Sequence, residues 1–93
     1  MVSWARTANG WAVNLDGTSA AAALTLPRIE LHSGHLGWTG VCLLQNGTSR
    51  RIALGSSTNT AAAMRGAIED GLLLLEPRYE SDLRALLLPR AVS

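Results

Sequence analysis

The dipeptide Asn46-Gly47 stands between two runs of strand-forming residues, and a helical pattern follows soon after, so the stretch 37–77 reads as a tight β-hairpin leading into an amphipathic helix. Asn-Gly suits a two-residue type I′ turn, which needs positive φ at both central positions. A two-residue loop sets the register of a hairpin over 38–55. Gln45 then faces Thr48, Leu43 faces Arg50, Val41 faces Ile52 and Thr39 faces Leu54, and this face is the expected core side. Leu44, Cys42, Gly40 and Trp38 fall on the other face, and Arg50 and Arg51 point to opposite sides of the sheet.

Beyond the hairpin, Ser56, Ser57, Thr58 and Asn59 offer side-chain oxygens to the free amides of a helix start, with Thr58 or Asn59 the expected cap. Ala61, Met64, Ile68, Leu72 and Leu75 recur at steps of three and four, one stripe of a helix predicted over 58–75. Glu76-Pro77 ends it, because the residue before a proline is driven out of the helical region. A short second helix is predicted over 79–88, with Leu83, Leu86 and Leu87 on one side, Ser81 as cap and Pro89 as stop.

Toward the N-terminus a second pair, Asn9-Gly10, proposes another hairpin over 2–16, with Ala8 opposite Trp11, Arg6 opposite Val13 and Trp4 opposite Leu15. Strand character resumes over 24–32. The apolar phase shifts across Pro27, from Leu24 and Leu26 to Ile29 and Leu31, which predicts a bulge or an edge strand. The expected architecture is a single α+β domain over 1–93, a small antiparallel sheet of four to five strands packed against one long helix and a short C-terminal helix.

Ninety-three residues suffice for one core with a high fraction of surface. All eight basic residues are arginine, and with Ala, Leu and Gly abundant this is what a GC-rich coding sequence produces, pointing to a bacterial or phage source. Cys42 is the only cysteine, so no intramolecular disulfide forms. The first residues lack a charged-then-apolar signal pattern, and no apolar run approaches the roughly 20 residues of a membrane span. A cytoplasmic protein is expected.

Few residues point to chemistry. His32 and His35 have His-x-x-His spacing, and Glu30 and Cys42 would complete a metal site on paper, but structural zinc usually draws on paired cysteines and the intervening Ser-Gly reads as an exposed turn. Cys42 lies mid-strand beside Leu43 and Leu44, the setting of a buried inert thiol rather than of a nucleophile. No GxGxxG, Walker-type loop or GxSxG elbow occurs. No catalytic residue, metal ligand or cofactor is assigned, and a non-enzymatic protein is expected.

The segments Gly37-Trp38, Asn46-Gly47 and Leu54-Gly55 and the alanine-rich stretch 60–67 together resemble many small phage and mobile-element proteins. The same region is similar to the sheet-to-helix part of HicB-type antitoxins, without their acidic and proline-glycine signature before the helix. In size and in lacking a catalytic motif the chain also resembles anti-CRISPR proteins, a likeness of kind that implies a small inhibitor acting by occluding or bridging a host protein or ribonucleoprotein complex. Aromatic and arginine anchors carry much of the energy of such contacts, which selects Trp38, Arg51, Arg78 and Tyr79. Acidic residues able to compete for a basic channel are Glu69, Asp70, Glu76, Glu80 and Asp82. The alternative is a nucleic-acid-binding regulator presenting Arg6, Arg28, Arg51 and Trp38 from the sheet, against which stands a net charge of only +1. A third reading is a structural homodimer through the C-terminal leucines, which exceed what a small domain easily covers.

Overall fold

The computed structural model describes residues 2–52 and 59–87. Five antiparallel strands follow one another across a single open sheet: β1 (Ala5–Arg6), β2 (Gly10–Asn14), β3 (Arg28–Gly34), β4 (Gly37–Leu43) and β5 (Ser49–Ile52), in the spatial order β1-β2-β3-β4-β5. Helix α1 (Thr60–Leu74), a 3-10 turn at Pro77–Tyr79 and helix α2 (Glu80–Leu87) complete the α+β architecture. One side chain in two points to each face of a strand. The face beneath the helices carries Trp11 and Val13, Ile29 and Leu31, Gly40 and Cys42, and Ile52.

Neither Asn-Gly pair forms the expected two-residue loop by itself. At Asn46-Gly47 the loop holds three residues: Leu44 N donates to Thr48 O at 2.7 Å, Gly47 N donates to Leu44 O at 3.0 Å, and Gly47 alone has positive φ, +90°. This is a type I turn closed by a left-handed glycine. Asn46 Oδ1 holds it by accepting from the Thr48 amide at 3.0 Å and from the Thr48 hydroxyl at 2.7 Å. The extra residue slips the register by one, pairing Leu43 with Ser49, Cys42 with Arg50, Val41 with Arg51 and Gly40 with Ile52. A one-residue slip exchanges faces. The slip sets Ile52 on the side of Gly40 and Cys42, and it is this side that lies under the helices, while the expected core side, Thr39, Val41 and Leu43, is the outer face. The part of the hairpin beyond Ile52, including the pairing of Thr39 with Leu54, lies outside the described residues.

In the N-terminal hairpin Ala8 and Asn9 form the loop, Thr7 N donates to Gly10 O at 2.9 Å, and Arg6 pairs with Trp11 rather than with Val13. Gly10 has ordinary negative φ and is needed for another reason. A Cβ there would stand 2.0 Å from the Leu31 carbonyl oxygen and 3.0 Å from the Trp38 ring. The expected strand over 24–32 begins only at Arg28, since Pro27 has no N–H to give the ladder, and β3 is neither bulged nor an edge. It is the central strand, with continuous pairing on both sides.

Helix α1 starts at Asn59, whose side chain accepts from Ala62 N at 3.1 Å, and continues through Gly66 and Gly71 to Leu74. The alternative cap, Thr58, lies outside the described residues. Its buried stripe is Ala63, Ala67, Ile68 and Gly71, while Ala61 is exposed and Met64, Leu72 and Leu75 pack at the margin. Small residues dominate this line because the helix lies close on the sheet: a Cβ on Gly71 would meet Ile29 Cδ1 at 3.0 Å and Leu83 Cδ2 at 3.6 Å. Helix α2 begins at Glu80 out of the 3-10 turn rather than from a Ser81 cap, and Leu83 is fully buried against α1 and the sheet. Pro89, the expected stop, lies outside the described residues.

The outer face is covered at one end by the loop between β2 and β3. Asn14 Nδ2 donates to Ala23 O at 2.8 Å, and Arg28 Nη1 donates to Asn14 Oδ1 at 2.9 Å. Arg28 Nη1 also reaches the carbonyls of Ala20 and Ala23, and Arg28 Nε donates to Glu30 Oε2 at 2.6 Å. Arg28 is thereby only 6% exposed and Asn14 only 1%, a polar cluster in which each buried donor and acceptor is paired, as burial requires.

Candidate functional site

Gln45, in the loop after β4, and the turn after α1 meet across more than thirty residues of sequence. Arg78 Nη2 and Tyr79 Oη both donate to Gln45 Oε1, the tyrosine at 3.1 Å, and the Arg78 guanidinium lies over the Tyr79 ring 4.9 Å from its centre. Glu76 Oε1 is 3.7 Å from Arg78 Nη2. Beside this cluster runs a groove of about 400 Å³ lined by Leu44, Gln45, Asn46, Leu74, Leu75, Glu76 and Tyr79. Its walls are mainly apolar, from the three leucines and the Tyr79 ring, with Gln45, Asn46 and Glu76 as the polar side chains among them. Leu73, on the same end of α1, is 85% exposed.

Of the residues singled out in the sequence, the fold thus brings together Arg78, Tyr79 and Glu76. It separates the others. Trp38 is half-buried at the far end of the inner sheet face, while Arg51 projects from the outer face of edge strand β5. Glu69 is exposed and Asp70 half-buried on α1, Asp82 is exposed on α2, and Glu80 is taken up by Arg84 at 3.0 Å. Leu74 and Leu75, which belong to the surplus of leucines from Leu72 onward that points to a partner surface, line the groove, whereas Leu44 and Gln45 line it without any local pattern that marks them, because the groove exists only once the β4–β5 loop has docked on the turn after α1.

The proposed nucleic-acid set does not form one surface. Arg28 is buried and engaged, and Arg51 and Trp38 lie on opposite faces; only Arg6 and Trp38 share an end of the sheet. The pairing of Cys42 with a histidine is broken by the pleat as well. Cys42 faces the core, where burial pushes its thiol up to about 11, and His32 faces outward, its Nε2 3.2 Å from Glu30 Oε1. His35 sits exposed in the β3–β4 turn. Among the described residues no group of three or more His, Cys, Asp or Glu side chains stands close enough to hold a metal ion, and no helix is long and apolar enough to cross a membrane.

Comparison with known protein families, with curated proteins and with solved structures finds no match to this chain. The class defined by the fold and the groove is a small α+β domain built on a five-stranded meander.

Proposed function

We propose that the chain is a non-catalytic protein-binding module working inside a bacterial host cell, and that the groove at the C-terminal end of α1 is its contact surface. The observation that carries this reading is the pre-positioning of Arg78 and Tyr79 by one Gln45 oxygen at the rim of an apolar groove. Arginine and tyrosine are frequent anchors of protein interfaces, and side chains already held in place lose less entropy on binding. The partner suited to the groove supplies an apolar side chain for Leu74 and Leu75 and a carboxylate for Arg78. Inhibition of a host defence complex, in the manner of anti-CRISPR proteins, is its most concrete form and rests on the likeness in size and kind. Self-association is favoured by one further observation, the exposure of Leu73 near the C-terminal end of α1.

The test is nuclease-treated affinity capture from a GC-rich bacterial host, with light-scattering mass of the eluate, on the parent chain and on Tyr79→Ala and Leu73→Glu. A defined host assembly that survives nuclease and is lost with Tyr79→Ala supports the module. A doubled mass without host protein, abolished by Leu73→Glu, replaces it with the homodimer.

A further inference from the structure

At the N-terminal end of α1 the inner sheet face gathers Arg6, Trp11, Ser33, Trp38 and Thr60 around a cleft of about 310 Å³ among the described residues. We infer that this cleft is a binding site for a nucleobase together with its phosphate. The register sets the arrangement: Arg6 pairs with Trp11 and Ser33 with Trp38, so all four side chains share one face. The Arg6 guanidinium lies over the Trp11 ring 5.2 Å from its centre and makes no ion pair with any described residue. Gly10 closes the bottom, where its missing side chain lets the strand pass against the Leu31 carbonyl and the Trp38 ring.

The chemistry selects the ligand. Two half-buried indoles offer flat surfaces on which a base of any sequence stacks. A cation without a carboxylate partner takes a phosphate, and arginine is the side chain best shaped for it. The Ser33 and Thr60 hydroxyls supply neutral hydrogen-bonding groups. No carboxylate among the described residues lines the cleft. The volume sits at the lower end of the roughly 300–1,000 Å³ typical of small-molecule sites, which limits the occupant to one nucleotide unit. That unit is either free or part of a single strand.

Tryptophan fluorescence of the full chain, titrated with AMP, with adenosine, with inorganic phosphate and with an oligothymidylate, tests the assignment. Saturable quenching by AMP, weaker with adenosine, is expected. Equal affinity for AMP and the oligonucleotide identifies a free nucleotide as the ligand, and tighter oligonucleotide binding identifies a single strand. Trp11→Leu is expected to weaken binding roughly 5- to 150-fold, the range found for loss of one stacked base. Arg6→Gln is expected to weaken AMP roughly tenfold while leaving adenosine unchanged. Arg6 is an exposed edge-strand residue, so Arg6→Gln remains decisive if Trp11→Leu fails to fold. Absence of saturable quenching by both AMP and the oligonucleotide overturns the assignment, as does an AMP affinity unaffected by Arg6→Gln.

Discussion

Gly10 and Gly47 are each the second residue of an Asn-Gly pair, yet the structure needs them for opposite reasons, and substitution separates the two. At Gly10 φ is unexceptional and space is the constraint: a Cβ 2.0 Å from the Leu31 carbonyl oxygen must move by more than 1 Å to reach a contact that real Cβ atoms show. The obstacle is backbone in the central strand, so relief means parting β2 from β3. Overpacking of this kind costs about 1–3 kcal/mol. The hydrogen bonds from Ser33 N to Asn9 O, 2.8 Å, and from Thr7 N to Gly10 O, 2.9 Å, flank the site and contribute about 1 kcal/mol each. Alanine's smaller unfolded-state entropy offsets about 0.4–1 kcal/mol. Gly10→Ala therefore loses about 3 kcal/mol, a large part of the roughly 5–14 kcal/mol available to a domain this size. In urea, with a slope near 1 kcal/mol/M, the midpoint falls by about 2–3 M. Gly10→Asn is worse still, because the larger side chain meets the same carbonyl. At Gly47 nothing lies within 4 Å of a Cβ and the constraint is φ of +90°; Gly47→Ala costs about 1–2 kcal/mol, and Asn, which tolerates the left-handed region, costs less than Ala. A Gly10→Ala variant within about 0.5 kcal/mol of the parent, or one less stable than Gly10→Asn, would falsify the close-approach argument.

Arg28→Ala leaves Glu30 and Asn14 without their shared partner beneath the β2–β3 loop and is expected to cost about 3 kcal/mol, the lower end for a broken buried pair because Glu30 keeps some exposure; urea midpoints measure it, and a loss under about 1 kcal/mol contradicts the role given to the cluster. Asp16 accepts from the Thr18 amide at 2.8 Å and the Thr25 hydroxyl at 2.9 Å, and these bonds, the backbone amide first, hold its carboxyl below its ordinary 3.8. A carboxyl depressed in the folded state adds stability that is present above the unfolded value and is lost as pH falls through the folded one. The stability difference between the parent and Asp16→Asn should accordingly be constant above about pH 5 and narrow below pH 4; a difference independent of pH between 2 and 6 contradicts the assignment.

The order of elements is legible in the sequence because hydrophobic period and cap residues are local signals: a cap at Thr58 or Asn59, a helix over 58–75 and a stop before Pro77 follow from them, and the observed cap is Asn59 with the helix over Thr60–Leu74. Register is legible only in part. Asn-Gly fits both a two-residue type I′ loop and a three-residue type I loop ending in a left-handed glycine, and what decides between them is the pair of bonds from Thr48 to Asn46 Oδ1. That small difference parts Ile52 from Val41 and sets it beside Gly40 on the side of Cys42. The helix stripe is displaced for a related reason. Hydrophobicity selects Met64 and Leu72, but the line nearest the sheet belongs to Ala63, Ala67 and Gly71, whose lack of bulk sets how close the layers lie. The groove was visible in Arg78 and Tyr79 and invisible in Gln45, since a polar loop residue acquires its role only from a turn more than thirty positions away.

The two proposed surfaces follow from how the layers match in length. Seven residues of β4 extend about 23 Å at the usual rise per strand residue, and fifteen residues of α1 about 22 Å at the helical rise. Each element begins near the cleft, where Trp38 and Thr60 stand, and ends near the groove, where Leu44 and Leu74 stand. The helix therefore runs the length of the strand, with the cleft at its first residues and the groove at its last, while the β2–β3 loop closes part of the outer face over Arg28. Sites separated by the length of a strand share no side chain, and substitutions farther apart than about 10 Å usually act independently. Loss of host-protein capture in Tyr79→Ala and loss of AMP binding in Arg6→Gln are thus separate results, and the failure of either proposal leaves the other standing on its own residues.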